Sequence, residues 1–176
     1  MRPFLPGNLK LGILTIIMSI GSIPFSSCTK EYSLETRGLL SPKDAFEKYL
    51  LDSKSFVLSA FYSDAPVDYD PLDTIGPTKD LWQFVRGYLK DDTLVFQPNN
   101  VANIVQGSYL IYPGSTATFN VDYAVSTDTT GHVLFDFVDF EYQPITYHLQ
   151  SYNDTSFLVS VDTLGVTLYT RYRRIF

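Results

Sequence analysis

The feature that most constrains this chain is an alternation of apolar and polar residues from Ser55 onward. Phe119, Val121 and Tyr123, for example, occupy every second position and are separated by polar side chains. Side chains of a strand point to opposite faces in turn, so this period predicts strands with one buried face. The chain also contains 13 Tyr and 13 Phe, residue types that favour strands.

Turn residues divide this region into short strands at regular spacing. Asn99-Asn100, Pro113-Gly114 and the segment 128–131 are typical turn sequences between them. The pattern predicts an all-β fold, an eight-stranded antiparallel meander that closes as a barrel or packs as a sandwich. The eight predicted strands are 55–62, 93–96, 104–112, 118–125, 133–140, 145–150, 157–161 and 166–174.

Two details of strand orientation also follow from the pattern. In the first strand Phe56, Leu58, Ala60 and Tyr62 are expected on one face. In the strand 133–140 the alternation changes phase near its end, which indicates a β-bulge.

One helix precedes the strands. Ser41 is a suitable N-cap, Pro42 suits the first helical position, and Asp44 places negative charge in the first turn. The helix is expected to end near Ser53. An apolar stripe on one face should pack against the β domain as a lid or plug; its members are Ala45, Phe46, Tyr49 and Leu50.

The N-terminal segment has the pattern of a secretory signal peptide. Arg2 and Lys10 precede an uncharged stretch, residues 11–27, and Cys28 follows directly. We expect processing as in bacterial lipoproteins, with the Cys28 thiol lipidated. The alternatives are plain secretion with cleavage near Ser27, or a retained membrane anchor. The predicted organisation is a signal peptide (1–27), a tether (28–40) and a barrel domain with its helix (41–176).

Charge and cysteine content exclude several classes of function. The net charge is −6, and it becomes −8 when the leader with Arg2 and Lys10 is removed. An acidic chain lacks the basic surface that nucleic acid requires. Cys28 is the single cysteine, so the chain cannot form an internal disulfide.

Three segments give the chain a family resemblance. Residues 55–58 (SFVL), 89–96 (LKDDTLVF) and 152–159 (YNDTSFLV) are similar to segments of the lipocalin-like lipoproteins of Bacteroidetes-type bacteria. The resemblance covers about residues 50–176 and implies a barrel on the cell envelope. Lys30-Glu31 resembles a minimal form of the signal that sends such lipoproteins to the outer face of the outer membrane.

An acidic loop follows the first predicted strand. Its candidate calcium ligands are Asp68, Asp70 and Asp73, because carboxylate oxygens are the ligands that calcium prefers. No glycine lies within this trio and no bidentate Glu follows, so local turn hydrogen bonds are the alternative role. No cofactor is predicted.

The sequence contains no motif for catalysis, and a non-enzymatic protein is expected. His132 and His148 are predicted to be solvated. The carboxylates of Asp136, Asp139 and Glu141 are predicted to lie on an exposed strand face.

Three functional hypotheses remain, each with its own requirement. A small apolar ligand could bind in the barrel near Trp82 and Phe84, which also suit core packing. The second hypothesis is a structural or interaction protein of the envelope with a filled barrel core. An enzyme, the third, would need a polar cleft.

Overall fold

The structure, a computed structural model, describes residues 40–53, 55–69, 75–110, 117–163 and 165–176. These residues form two α-helices, a 3₁₀ turn (Trp82–Phe84) and ten strands. The helices are α1 (Pro42–Asp52) and α2 (Gly87–Asp91). The strands are β1 (Ser55–Val67), β2 (Thr78–Asp80), β3 (Thr93–Gln97), β4 (Val101–Val105), β5 (Thr118–Asp122), β6 (Ala124–Thr127), β7 (Val133–Val138), β8 (Pro144–Asn153), β9 (Ser156–Thr163) and β10 (Val166–Ile175).

All ten strands belong to one antiparallel sheet that is shaped as a nearly closed barrel. The order along the sheet is β5-β4-β3-β1-β10-β9-β8-β7-β6, and β2 pairs with β1. The last strand pairs with the first, from Ser55–Ile175 to Ser63–Leu168. The two ends of this order, β5 and β6, are joined through the single residue Tyr123. The predicted all-β barrel with an N-terminal helix is confirmed.

The predicted number of eight strands is wrong, for two reasons. The predicted strand 118–125 divides at Tyr123 because its first half pairs with β4 and its second half with β7. The short strand β2 was not predicted. The predicted strand 104–112 is also misplaced: β4 is Val101–Val105, and residues 111–116 lie outside the description.

The two predictions of strand orientation also need correction. The β1–β10 register shifts between Leu58 and Ala60, so Phe61 is buried where Ala60 and Tyr62 were expected. The β6–β7 and β7–β8 pairings show no register shift along the described residues of β7, so the predicted bulge is absent there. The phase change marks the end of β7 and a turn, in which Tyr142 has a φ of 60°.

Short polar side chains fix the hairpin turns. Asp128 Oδ1 accepts hydrogen bonds from the N–H groups of Thr130 and His132 at 2.8 and 2.9 Å. Asp139 Oδ1 accepts equivalent bonds from the N–H groups of Glu141 and Gln143. These interactions replace backbone hydrogen bonds that a tight turn cannot make.

Helix α1 has the predicted boundaries. The Ser41 hydroxyl accepts a hydrogen bond from the Asp44 N–H at 3.1 Å, and Pro42 occupies the first turn. Its Phe46 and Leu50 side chains are fully buried. The prediction of a plug against the β domain is confirmed. In the described part of the chain, no helix has the length and apolar character needed to cross a membrane.

Strand directions give the barrel two different ends. The helix end, named for α1, also carries the connections β3–β4, β6–β7 and β8–β9. The loop end, named for its longer connections, carries those between β1 and β3, β4 and β5, β7 and β8, and β9 and β10. The Trp82–Phe84 turn and α2 therefore lie at the loop end.

Candidate functional site

The interior of the barrel is filled with aromatic rings. Phe157 is buried, and its ring centroid lies 5.0 Å from that of Phe56 and 6.0 Å from that of Phe135. Phe96 is 5.8 Å from Phe56 and 5.0 Å from Tyr123. Such spacings are those of packed aromatic side chains. The space that holds ligand in a wide barrel is occupied here by the protein's own side chains.

Helix α1 covers the interior from the helix end. The Phe46 ring lies 5.9 Å from Phe135 and 5.7 Å from Phe157. Tyr49, on the next turn, is 4.9 Å from Tyr152. The helix is therefore part of the hydrophobic core.

Aromatic side chains also cover the loop end. The Phe61 ring lies 4.8 Å from Phe140 and 5.5 Å from Tyr69. Tyr69 in turn lies 5.5 Å from Phe84. Leu81 is fully buried beside them. Phe84 thus packs in the cover of this end.

A cavity of about 40 Å³ remains near the loop end. Its lining is mostly apolar, with Leu58, Leu94 and Phe137 among the contributing residues, and includes Asp92 and Tyr142. A water molecule fits in such a space. Small-molecule sites are commonly about 300–1,000 Å³, so this cavity is too small for an apolar ligand.

Asp92 is the polar side chain that distinguishes this cavity. It is only 4% exposed, and its Oδ1 accepts a hydrogen bond from the Gly107 N–H at 3.2 Å. Burial raises the pKa of Asp92 to about 6, and the neighbouring Asp91 carboxylate acts in the same direction. The Gly107 hydrogen bond opposes that shift. The Tyr142 hydroxyl faces the same carboxyl group.

The adjacent Asp91 holds the β4–β5 connection. Its Oδ2 accepts hydrogen bonds from the N–H groups of Ser108 and Tyr109 at 2.6 and 3.1 Å. Gly107 packs so closely that a Cβ there would lie 2.6 Å from the Asp91 carbonyl oxygen and closer still to its carboxylate. The first residues of this connection, Gly107 to Tyr109, are therefore fixed in position by side-chain hydrogen bonds and by close packing.

The β4–β5 connection presents exposed apolar side chains. Tyr109 is 66% exposed, Leu110 is 43% exposed, and Val105 is exposed at the end of β4. We call these three residues the loop-end patch. The sequence did not predict this patch, because the same residues suggested that the strand 104–112 continues through them. The apolar character of these residues could have indicated an exposed patch. The sequence does not show, however, that Asp91 accepts hydrogen bonds from residues 17 and 18 positions later.

Trp82 faces a second, open depression on the outside of the barrel. This groove of about 430 Å³ is formed by β1 together with Lys79, Asp80 and Trp82. The Lys90 ammonium lies 4.8 Å from the centroid of the Trp82 ring, a cation–π contact. Trp82 is partly buried against the core. It lies outside the barrel, and Phe84 does not line this groove.

The calcium candidates are only partly within the described residues. Asp68 is exposed just after β1, whereas Asp70 and Asp73 lie outside the residues that the structure describes. Among the described residues, no group of three His, Cys, Asp or Glu side chains is arranged to hold a metal ion. Cys28 also lies outside the described residues, so its lipidation stays a prediction.

Both histidines are exposed as predicted, but of the three carboxylates predicted on one strand face only Asp136 lies on a strand, because β7 ends at Val138 and Asp139 and Glu141 belong to the following turn. The His132 side chain is 76% exposed, and His148 is exposed on β8. Asp136 accepts a hydrogen bond from the Thr146 hydroxyl across the β7–β8 pair, and Asp139 accepts turn N–H groups. The structure does not bring Asp136 and Asp139 together as a facing pair; each has a local structural partner.

The architecture is consistent with the lipocalin-like fold that the sequence suggested. It combines an N-terminal helix, an antiparallel meander and a first strand that pairs with the last. Comparison with protein-family models, curated proteins and solved structures gives no match to this chain.

Proposed function

We propose that this chain is a non-enzymatic lipoprotein of the cell envelope, anchored through Cys28, whose barrel binds a protein partner on its surface. The filled interior is the observation that carries the proposal. Aromatic rings occupy the barrel, and the cavity near Asp92 measures about 40 Å³. Because the interior is occupied by side chains, a partner of this barrel would bind to its outer surface.

The anchor is supported by the N-terminal sequence. A basic start, an uncharged stretch and a cysteine followed by polar residues form the pattern of a lipoprotein signal. Lipidation of Cys28 would hold the mature chain at a membrane. The resemblance to envelope lipoproteins favours the outer membrane as its location.

The loop-end patch is the surface that best suits a protein partner. Tyr and Leu side chains are largely exposed there, and Tyr is enriched in protein interfaces. The Asp91 hydrogen bonds fix the backbone at Ser108 and Tyr109 before any partner arrives. A pre-ordered surface loses less conformational entropy on binding.

Carriage of a small apolar ligand inside the barrel is the weaker hypothesis. It requires a cavity several times larger than the one beside Asp92. The open groove near Trp82 has the volume for a ligand, but it leaves an apolar molecule exposed to water.

The anchor is tested by replacing its cysteine. We expect Cys28→Ala to abolish incorporation of radiolabelled palmitate and to release the protein from the membrane fraction. Ser27→Ala is the matched control, because it keeps a small residue before the cysteine. Labelled, membrane-bound Cys28→Ala protein would refute the anchor.

The partner surface is tested by site-specific photo-crosslinking in cells. A photoreactive residue at Tyr109 should give a discrete crosslinked species, whereas one at the exposed Thr129 of the opposite end should not. Tyr109→Ser together with Leu110→Ser should weaken a crosslink from a probe at Val105. Equal crosslinking from positions 109 and 129 would argue against a specific loop-end surface.

A further inference from the structure

We propose that the cavity beside Asp92 is a water-binding site, in which a buried water molecule bridges the Asp92 carboxyl group and the Tyr142 hydroxyl group. This site is separate from the loop-end patch, and it depends neither on the Cys28 anchor nor on a protein partner. The polar atoms of the cavity, its size and the backbone at Tyr142 support the proposal.

The first observation is a pair of buried polar atoms in the cavity lining. Asp92 Oδ1 accepts the Gly107 N–H, which leaves Oδ2 as the second oxygen of a carboxyl group that is almost fully buried. Asp92 Oδ2 and the Tyr142 hydroxyl oxygen are both shielded from solvent, and neither forms a hydrogen bond with a protein group among the described residues. Buried polar atoms without a protein partner are rare, and an ordered water molecule is a common partner for them.

The two groups can play complementary roles toward one water molecule. Burial raises the pKa of the Tyr142 hydroxyl, and the Asp92 carboxyl group acts in the same direction, so the hydroxyl keeps its proton and can donate it to water. The water molecule can in turn donate a hydrogen bond to Asp92 Oδ2. Buried water molecules make about three hydrogen bonds. Asp139 also lines the cavity and is the nearest further source of oxygen atoms in the lining.

The size of the cavity fits water and excludes larger ligands. Its volume is about 40 Å³, and a cavity needs roughly 10–15 Å³ to hold a water molecule. Purely apolar cavities stay dry. In this cavity, however, the carboxyl and hydroxyl groups interrupt a lining of aliphatic and aromatic side chains, among them Leu58, Leu94 and Phe137.

The backbone at Tyr142 is the third observation. Tyr142 has a φ of 60°, in the left-handed region that disfavours residues with a Cβ atom. A glycine would adopt this turn more easily, but it would bring no side chain to the cavity. The Tyr142 ring packs 5.0 Å from the ring of Phe119, and its hydroxyl faces the Asp92 carboxyl group. Such a backbone conformation persists where the surrounding contacts hold the residue, and the water bridge adds one such contact.

A water molecule in this position would connect segments that are distant in the sequence. Asp92 directly precedes β3, and Tyr142 belongs to the turn between β7 and β8. Asp92 also binds Gly107 at the start of the β4–β5 connection. The bridge therefore completes a polar network that joins three connections of the loop end.

Removal of one hydroxyl group tests the site. Tyr142→Phe keeps the ring and removes the oxygen that would bind the water molecule. Tyr123→Phe is the matched control, because the Tyr123 hydroxyl donates directly to the Gln97 carbonyl oxygen at 3.1 Å and Tyr123 does not line this cavity. Circular dichroism confirms that both variants are folded. Oxygen-17 magnetic relaxation dispersion of each purified protein then counts the water molecules that stay bound for longer than the protein takes to tumble.

The expected result is the selective loss of a long-lived water molecule. The dispersion amplitude of Tyr142→Phe should fall by the equivalent of at least one water molecule relative to the parent, and that of Tyr123→Phe should be unchanged. A high-resolution crystal structure of the parent, which requires no variant, should show a water molecule within about 2.7–3.2 Å of both Asp92 Oδ2 and the Tyr142 hydroxyl oxygen. Equal amplitudes for the parent and Tyr142→Phe, or a direct Tyr142–Asp92 hydrogen bond in the crystal, would overturn the proposal.

Discussion

Asp92 carries a carboxyl group that the fold surrounds largely with apolar side chains. Its pKa rises to about 6 because burial disfavours the charged form. In the unfolded chain the same group titrates near 4. The folded protein therefore retains a proton that the unfolded chain loses between about pH 4 and pH 6. The contribution of Asp92 to the free energy of unfolding is largest below pH 4, falls through this window and stays low above it.

We predict that Asp92→Asn removes this pH dependence. The amide can still accept the Gly107 hydrogen bond but does not ionise. The free energy of unfolding of the variant should therefore rise relative to that of the parent by on the order of 2 kcal/mol between pH 4 and pH 7. Urea unfolding followed by circular dichroism at several pH values measures this difference. Parallel pH profiles for the two proteins would contradict the assignment.

At the scale of elements, α1 is the segment whose removal would most directly open the core. Phe46 is fully buried, and its ring contacts rings on β7, β8 and β9. The helix is held at its start by the Ser41 cap. Its attachment to the barrel therefore depends on a few large side chains and not on backbone pairing.

We predict that Phe46→Ala lowers the free energy of unfolding by about 3–5 kcal/mol, because it removes a large buried ring and leaves a cavity. Lys48→Ala, on the exposed face of the same helix, is the control. It breaks only the exposed Lys48–Asp52 ion pair and should change stability by about 0.5 kcal/mol or less. Urea unfolding of both variants provides the comparison. Similar losses in the two variants would show that α1 does not act as a plug.

At the scale of the whole molecule, the filled interior of the barrel predicts that the protein is purified without a small molecule bound inside it. Native mass spectrometry of the purified protein should give the mass of the chain with its anchor and no co-purifying apolar small molecule. The reason is the volume of the cavity beside Asp92, about 40 Å³, which is far below that of a common small-molecule site. A stoichiometric apolar adduct that survives removal of detergent would reverse the proposal in favour of carriage.

The sequence predicted those features that depend on local chemistry. The Ser41 cap and Pro42 define the start of α1, and Asp128 and Asn153 define turns, because each acts on backbone groups a few residues away. The overall class, an antiparallel barrel, followed from alternation repeated over many strands.

Features that depend on distant partners were not predicted. The bulge after Leu58 arises from pairing with β10, more than 100 residues later. The chain that follows β4 passes close to the end of α2. This approach buries Asp92 and brings the N–H groups of Ser108 and Tyr109 to Asp91. A single sequence does not show which side chains such a return brings together.

The pairing of β1 with β10 also sets the order in which the fold can be completed. In synthesis, β1 emerges early, and its partner at residues 168–175 emerges last. The sheet therefore cannot close until nearly the whole chain is available, and one edge of β1 stays unpaired during this time. Such long-range pairing slows folding, and unpaired strand edges favour aggregation. If the chain is exported as proposed, it would face this risk for the duration of its transit, and the yield of folded barrel would then depend on proteins that keep the unfolded chain from aggregating.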